Sequence, residues 1–246
     1  MLSFSREAKE SVPTDSRAGG CHVKSGCLGS RGAGGCNTVL RVGLTGGIAT
    51  GKTTVSQLFV QCGAHLIDAD VLAREAVAPG SPGLRAIVAS FGPGMLCADG
   101  TLNRERLADI VFKDAGQRER LEAIIHPYVF VEEERRCQEI VAKDPHAVVL
   151  FDAALLIETG AYKSKDQVIV VTADEPTQLA RVMSRNNLTE AQARERIDAQ
   201  MPLSEKIKVA HYVIDGTLPI QKLRQDVLRI YEELKNASDQ GRLPPH

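Results

Sequence analysis

Five short apolar runs alternate along the chain with longer stretches in which apolar residues recur every three to four positions. The runs are VLRVGLT, HLIDAD, AVVLF, QVIVVT and HYVID, which begin at residues 39, 65, 147, 167 and 211. Short β-branched runs bounded by turn residues predict buried strands. Because the strands alternate with helices, the pattern predicts an α/β fold with three layers and a central parallel sheet.

Helical periodicity fills the segments between the runs and continues without a strand from about 83 to 145, which predicts an inserted helical lobe. Helices are expected near 53–62, 71–78, 103–112, 117–142, 175–185, 189–200 and 219–234. The predicted bounds are one domain at 38–240, with a core at about 38–82 and 146–235 and the insertion at about 83–145.

Residues 1–37 differ from the rest of the chain, because Gly, Ser, Arg and Cys dominate and almost nothing there could pack a core. We predict a disordered N-terminal extension. A transit peptide is Arg- and Ser-rich but poor in acids, whereas this segment contains Glu7, Glu10 and Asp15. The expected location is therefore the cytoplasm, with organelle targeting as the alternative.

The composition of the chain limits the kinds of partner that it is expected to bind. No apolar stretch approaches the roughly 20 residues that span a bilayer, so no membrane segment is predicted. The net charge of −1 provides no basic field for nucleic acid. The six cysteines have no metal-ligand spacing and are expected to be reduced thiols. We expect a small-molecule partner and a monomer or weak homo-oligomer.

A glycine-rich segment, GGIATGKTT at 46–54, lies between the first run and the first predicted helix. It matches G-x-x-x-x-G-K-[ST], in which backbone N–H groups and the helix dipole hold phosphates, the lysine reaches the β- and γ-phosphates, and the hydroxyl completes Mg²⁺ coordination. A structural glycine turn is the alternative. The predicted nucleotide-binding residues are Gly46, Gly47, Ile48, Ala49, Thr50, Gly51, Lys52, Thr53 and Thr54, with a nucleoside triphosphate and Mg²⁺ as the expected ligands.

Acidic residues end two of the predicted strands. Asp68 and Asp70 close the second run, at the edge of an α/β sheet where ligands bind, and could accept the proton of an acceptor hydroxyl. The alternative is that one of them caps a helix beginning at Val71. Asp152 ends the third run and is a candidate Mg²⁺ ligand together with Thr53.

Several strings together identify a resemblance. They are GLTGGIATGKTTVSQLF, IDADVLAREAV, DGTLNRERLADIVF, LEAIIHPYV, FDAALLIETG, QLARVMSRN and ARERIDAQM, in this order. From about residue 40 to 235 the chain resembles the dephospho-coenzyme A kinases. The resemblance implies ATP-dependent phosphorylation of the 3′-hydroxyl of the dephospho-coenzyme A ribose, in a P-loop kinase fold whose helical lobe binds the acceptor and whose helical lid spans about 183–205.

The resemblance also implies roles for individual residues. Asp70 matches the catalytic base, and Arg181 and Arg185 match lid arginines that stabilise the transferring phosphoryl group together with Lys52. The implied acceptor-binding residues are Asp68, Asp70, Arg74, Arg104 and His126. His126 alone is also typical of a histidine that holds a carbonyl at a helix end.

Three positions depart from the family pattern. Ala49 stands where glycine is usual, Ala154 stands where proline is common, and IDGT at 214–217 lacks the usual asparagine after the aspartate. None of them removes a group that the chemistry needs. Three alternatives stay open at this point: another P-loop kinase of a small molecule such as a nucleoside or nucleotide, a nucleotide-binding switch, and a non-catalytic scaffold.

Overall fold

The structure is a computed structural model that describes residues 39–241, so the disordered extension predicted at 1–37 lies outside the described residues. The strands are β1 (Leu40–Gly46), β2 (His65–Asp68), β3 (Val148–Asp152), β4 (Gln167–Thr172) and β5 (Tyr212–Asp215). The helices are α1 (Lys52–Cys62), α2 (Ala69–Ala76), α3 (Pro82–Phe91), α4 (Arg104–Lys113), α5 (Ala115–Val141), α6 (Glu175–Asn186), α7 (Glu190–Asp198), α8 (Leu203–Ile207) and α9 (Ile220–Asp239).

All five strands pair in parallel, in the order β2-β3-β1-β4-β5. Strands β1, β3 and β4 are almost entirely buried because helices cover both faces of the sheet. This burial explains why their sequences are continuous apolar runs. The predicted α/β fold with a central parallel sheet is confirmed.

The helices pack against the sheet through separate apolar clusters. On one face, Val55 and Phe59 of α1 and Val227 of α9 pack with β1. On the other face, Cys137 of α5 packs with β2 and β3, and Leu203 of α8 belongs to a further cluster. Because the strands are parallel, their carboxyl ends lie at one edge of the sheet. The loops that follow several strands come together at this edge.

The helices α3, α4 and the first half of α5 surround their own apolar cluster, which contains Leu84, Ile87 and Leu107. The second half of α5 contacts the sheet through Cys137 and also through a charged contact: Arg41 of β1 donates two hydrogen bonds to Glu134, at 3.0 and 2.8 Å. One long helix therefore carries the lobe on the sheet. The exact bounds of the insertion stay a prediction.

Two helices differ from the sequence expectations. Helix α3 was not predicted as a separate helix, and it begins inside the segment PGSPG at 79–83. The Ser81 side chain caps it by accepting a hydrogen bond from the N–H of Leu84, and Pro82 lies in the first turn, where a helix needs no N–H donor. Helix α8 was not predicted, because it is only five residues long. Within residues 39–241, no helix is long and apolar enough to cross a bilayer.

Candidate active site

The glycine-rich segment 46–54, here called the phosphate loop, connects the end of β1 to the start of α1. Its Gly51 is the N-cap of α1 in the left-handed region, with φ 96°, and no side chain caps this helix end. The first N–H groups of α1 therefore have no partner within the helix and lie at the mouth of a cleft. This is the geometry that an anionic ligand requires.

Close packing explains two of the loop glycines. A Cβ on Gly46 would lie 2.6 Å from the carbonyl oxygen of Val171, and one on Gly47 would lie 2.7 Å from Nε2 of Gln178. Ala49 is different, because it adopts φ 59°, in the left-handed region where glycine has no steric cost. Its departure from the family pattern therefore places a strained residue in the loop.

Replacing Ala49 by glycine should raise the free energy of unfolding by up to about 1 kcal/mol. A Cβ in the left-handed region costs about 1–2 kcal/mol, and glycine removes this strain. Glycine also loses more backbone entropy on folding than alanine does, which offsets about 0.5–1 kcal/mol of the gain. Urea unfolding without ligand measures the change. The matched control is Ala123→Gly on the exposed side of α5, which should lower stability by about 1 kcal/mol; a loss for both variants would contradict the strain at Ala49.

Lys52, the first residue of α1, forms an ion pair with Asp152 at the end of β3. Burial raises the pKa of Asp152 above its ordinary value, the pairing with Lys52 lowers it, and the charges of Asp68 and Asp70 raise it. Asp68 and Asp152 are direct partners in the β2–β3 register. One ammonium group and three carboxyl groups therefore meet at the carboxyl edge of the sheet.

Asp68 and Asp70 have different structural tasks. The strand β2 ends at Asp68, whose side chain caps α2 by accepting from the N–H groups of Asp70 and Val71 at 2.9 and 3.1 Å. The expected cap at one of these acids therefore exists, but the helix begins at Ala69 rather than at Val71. Asp70 lies in the first turn of α2, with its side chain exposed.

One cleft of about 950 Å³ brings most of the predicted site residues together. Its lining includes the nine residues of the phosphate loop, Asp70 of α2, and Arg181 and Arg185 of α6. Gly216, Leu218 and Ile220, which follow β5, also line it. Residues that were predicted from three separate strings of the sequence thus surround one space, large enough for a nucleotide.

The two arginines of α6 have different contacts. Arg181 donates to the main-chain oxygens of Ala49 and Gly216, each at 3.1 Å, and so connects the phosphate loop to the loop after β5. Arg185 is exposed, and its Nε donates to the side chain of Asn186 at 3.1 Å. Hydrogen bonds to the main chain therefore hold the Arg181 side chain in place, whereas the charged Arg185 side chain lines the cleft and is exposed.

Two glutamines at the cleft were missed by the sequence analysis. Gln178 and Gln200 both form hydrogen bonds with the main chain of Ile48. The available signal for Gln178 was its position three residues before Arg181, which places both on one face of α6. Gln200 had no such signal, because it lies in a connection between helices.

A second cavity of about 610 Å³ contains two of the predicted acceptor-binding residues, Arg74 of α2 and Arg104 of α4. Cys97, Thr101, Asn103 and Glu105 also line it. His126 is exposed on α5 and lines neither this cavity nor the cleft at the phosphate loop. The structure thus groups the two arginines but does not bring His126 to them.

Comparisons with known proteins agree with this arrangement. Residues 40–221 match the family model of dephospho-CoA kinase. The chain is 45% identical over 198 residues to the dephospho-CoA kinase of Listeria innocua, which covers 79% of this chain and 97% of the relative. It is also 45% identical over 190 residues to that of Geobacter sulfurreducens, covering 77% and 96%.

Solved structures show the same fold. The crystal structure of TT1252 from Thermus thermophilus superposes with a TM-score of 0.66 at 30% identity, over 80% of this chain and 98% of that one. The dephospho-CoA kinase from Campylobacter jejuni superposes with a TM-score of 0.60 at 26% identity, over 80% and 97%. Similarity therefore extends over nearly the whole of these relatives.

Proposed function

The chain belongs to the dephospho-CoA kinase family, and we propose that it carries out its reaction in the cleft between the phosphate loop and α2. The reaction is the ATP-dependent phosphorylation of the 3′-hydroxyl of dephospho-CoA, which yields CoA and ADP. The observation that carries the proposal is that one cleft is lined by the whole phosphate loop, by Asp70 and by two arginines of α6.

The lining of the cleft favours one orientation of ATP, with its polyphosphate at the phosphate loop. The exposed N–H groups at the start of α1 and the Lys52 ammonium group favour the polyphosphate at the loop. The apolar side chains of Leu218 and Ile220 suit the adenine ring, with main-chain groups near Gly216 available to its polar edge. The nucleotide would therefore extend from the loop after β5 towards Asp70.

The residues present also suit Mg²⁺. The Thr53 hydroxyl and the Asp152 carboxylate are hard oxygen donors, and Mg²⁺ is usually bound by one or two such groups together with phosphate oxygens and water. Within residues 39–241, no group of three or more acidic, His or Cys side chains could hold a metal alone. When bound with ATP, the ion neutralises phosphate charge.

Asp70 is the proposed general base. It lines the same cleft as Lys52, and its N–H is held by Asp68, so the cap of α2 orients the turn that carries it. Arg74 follows one helical turn later on the same side of α2, and Arg104 shares a cavity with it. An anionic acceptor could thus be held by Arg74 and Arg104 while its hydroxyl reaches Asp70.

Arg181 and Arg185 are proposed to stabilise negative charge on the transferring phosphoryl group, and His126 is proposed to assist acceptor binding from the lobe. Phosphoryl transfer needs mainly positioning and charge neutralisation, and these cationic side chains supply the charge. The segment 183–205 is the proposed lid, whose closure would exclude water. We further propose a cytoplasmic monomer or weak homo-oligomer that acts on small molecules and not on nucleic acid.

The acceptor assignment is tested by measuring ADP release in a coupled assay with dephospho-CoA and with a panel of nucleosides and nucleotides. We expect kcat/KM for dephospho-CoA to exceed that for every other acceptor at least about 100-fold, because the acceptor site must hold the diphosphate and the ribose together. A reaction without acceptor corrects for ATP hydrolysis. Equal or faster turnover of a nucleoside or nucleotide would assign the chain to another kinase activity.

A further inference from the structure

Two glutamine side chains hold the two consecutive peptide groups of the phosphate loop that flank the Cα of Ile48. Nε2 of Gln178 donates to the carbonyl oxygen of Ile48 at 2.7 Å, and Oε1 of Gln200 accepts from the N–H of Ile48 at 2.7 Å. Both polar groups of Ile48 are therefore satisfied by the protein. Its orientation does not depend on a ligand.

One glutamine precedes the proposed lid, which spans 183–205, and the other lies within its last residues. Gln178 lies in the second turn of α6, before the lid, and is buried with 5% of its surface exposed. Gln200 lies two residues after the end of α7, close to where the lid returns to the core. A displacement of α6 or of the last part of the lid would therefore shift one of the two peptide groups that flank Ile48.

The surrounding residues support this arrangement. Gly47 leaves room for Gln178, because a Cβ there would meet Nε2 at 2.7 Å. One turn later on α6, Arg181 holds the next carbonyl oxygen of the loop, that of Ala49. Adjacent peptides of the phosphate loop are thus fixed from outside, while the N–H groups at the start of α1 remain directed to the cleft.

We propose that Gln178 and Gln200 are positioning residues that connect the lid to the phosphate loop and set the loop in its phosphate-binding shape before ATP arrives. The inference rests on the proposed function, because it assumes that the loop holds the ATP phosphates. A loop that is already ordered loses less entropy on binding, so the pair should act on nucleotide affinity and not on the acceptor.

The test uses Gln178→Met and Gln200→Met, which keep the side-chain length but remove the hydrogen bond. Each variant should raise KM for ATP about tenfold, while KM for dephospho-CoA changes less than about twofold. Calorimetric titration with ADP, without acceptor, should show a similar loss of affinity. In Gln200→Met, the backbone amide of Ile48 should also exchange with solvent faster, as measured by NMR.

Gln192 provides a matched control inside the lid. Gln192 is exposed and forms the capping box of α7 with Thr189. The variant Gln192→Met should therefore weaken this lid helix while leaving the hydrogen bonds to Ile48 in place. We expect less than a twofold change in KM for ATP. The proposal is overturned if Gln192→Met raises KM for ATP as much as Gln200→Met does, or if the Gln178 and Gln200 variants bind ADP as wild type.

These outcomes separate the inference from the proposed function. ADP titration reports on the phosphate loop whatever the acceptor is, so normal ADP affinity in the variants would refute the glutamine pair alone. A wild-type protein that binds ADP but does not phosphorylate dephospho-CoA would refute the acceptor assignment alone. A wild-type protein that fails to bind ADP would refute both.

Discussion

The variant Asp70→Asn should have a kcat at least about 100-fold below that of the wild type, with KM for ATP changed only a few-fold. Asparagine has nearly the same shape but cannot take the proton of the ribose hydroxyl, and removal of a general base typically costs a factor of 10²–10⁴. Asp70 is exposed and its N–H is held by Asp68, so the substitution should leave the phosphate loop in place. Steady-state kinetics with both substrates varied measures the effect.

Asp68→Asn is the matched comparison for this experiment. An asparagine oxygen caps a helix about as well as an aspartate oxygen, so the hydrogen bonds to the N–H groups of Asp70 and Val71 are kept while the charge is lost. We expect a decrease in kcat of less than about tenfold. A larger loss for Asp68→Asn than for Asp70→Asn would move the base from Asp70 to Asp68.

The parts of the fold that could be predicted from the sequence are those with local signals. The phosphate loop is specified by its own residues and by the strand and helix that flank it. The buried strands can be recognised because helices cover both of their faces. Their sequences are therefore continuous apolar runs rather than alternating apolar and polar residues. The fold class could therefore be predicted, and so could the loop that lines the candidate nucleotide site.

The features that could not be predicted depend on contacts across long sequence separations. The strand β3 lies between β1 and β2, so Asp152 stands between Lys52 and the acids of β2 and α2. No local pattern fixes this order, because it results from the packing of α1, α5 and α9 on the two faces. The division of tasks between Asp68 and Asp70 likewise depends on where β2 ends.

The glutamines show a further limit of sequence reasoning. Gln178 and Gln200 contact Ile48 across 130 and 152 residues of chain. Glutamine has no charge and belongs to no phosphate-binding motif, so the spacing of Gln178 to Arg181 places it on the right helix face but does not indicate its task. The hydrogen bonds of both glutamines to the main chain of Ile48 reveal that task. Side chains that shape a loop from outside are thus harder to predict than those that contact the ligand.

The variant Lys52→Met should lose activity at least about 100-fold and should also be less stable by about 3 kcal/mol. The activity falls because the loop loses the cation placed for the β- and γ-phosphates, and removing an electrostatic group of this kind typically costs 10²–10³ in kcat. The stability falls because Asp152, with 5% of its side chain exposed, is left as an unpaired buried charge. Coupled assays and urea unfolding measure the two losses separately.

The double variant Lys52→Met with Asp152→Asn distinguishes the two roles of the lysine. Removing both charges leaves no unpaired ion in the interior, so most of the lost stability should return. Activity should stay at the level of Lys52→Met or below it, because the phosphate cation is still missing and a candidate Mg²⁺ ligand has been removed as well. If the double variant regained activity together with stability, Lys52 would act only as the structural partner of Asp152, and the phosphate loop would not need its charge.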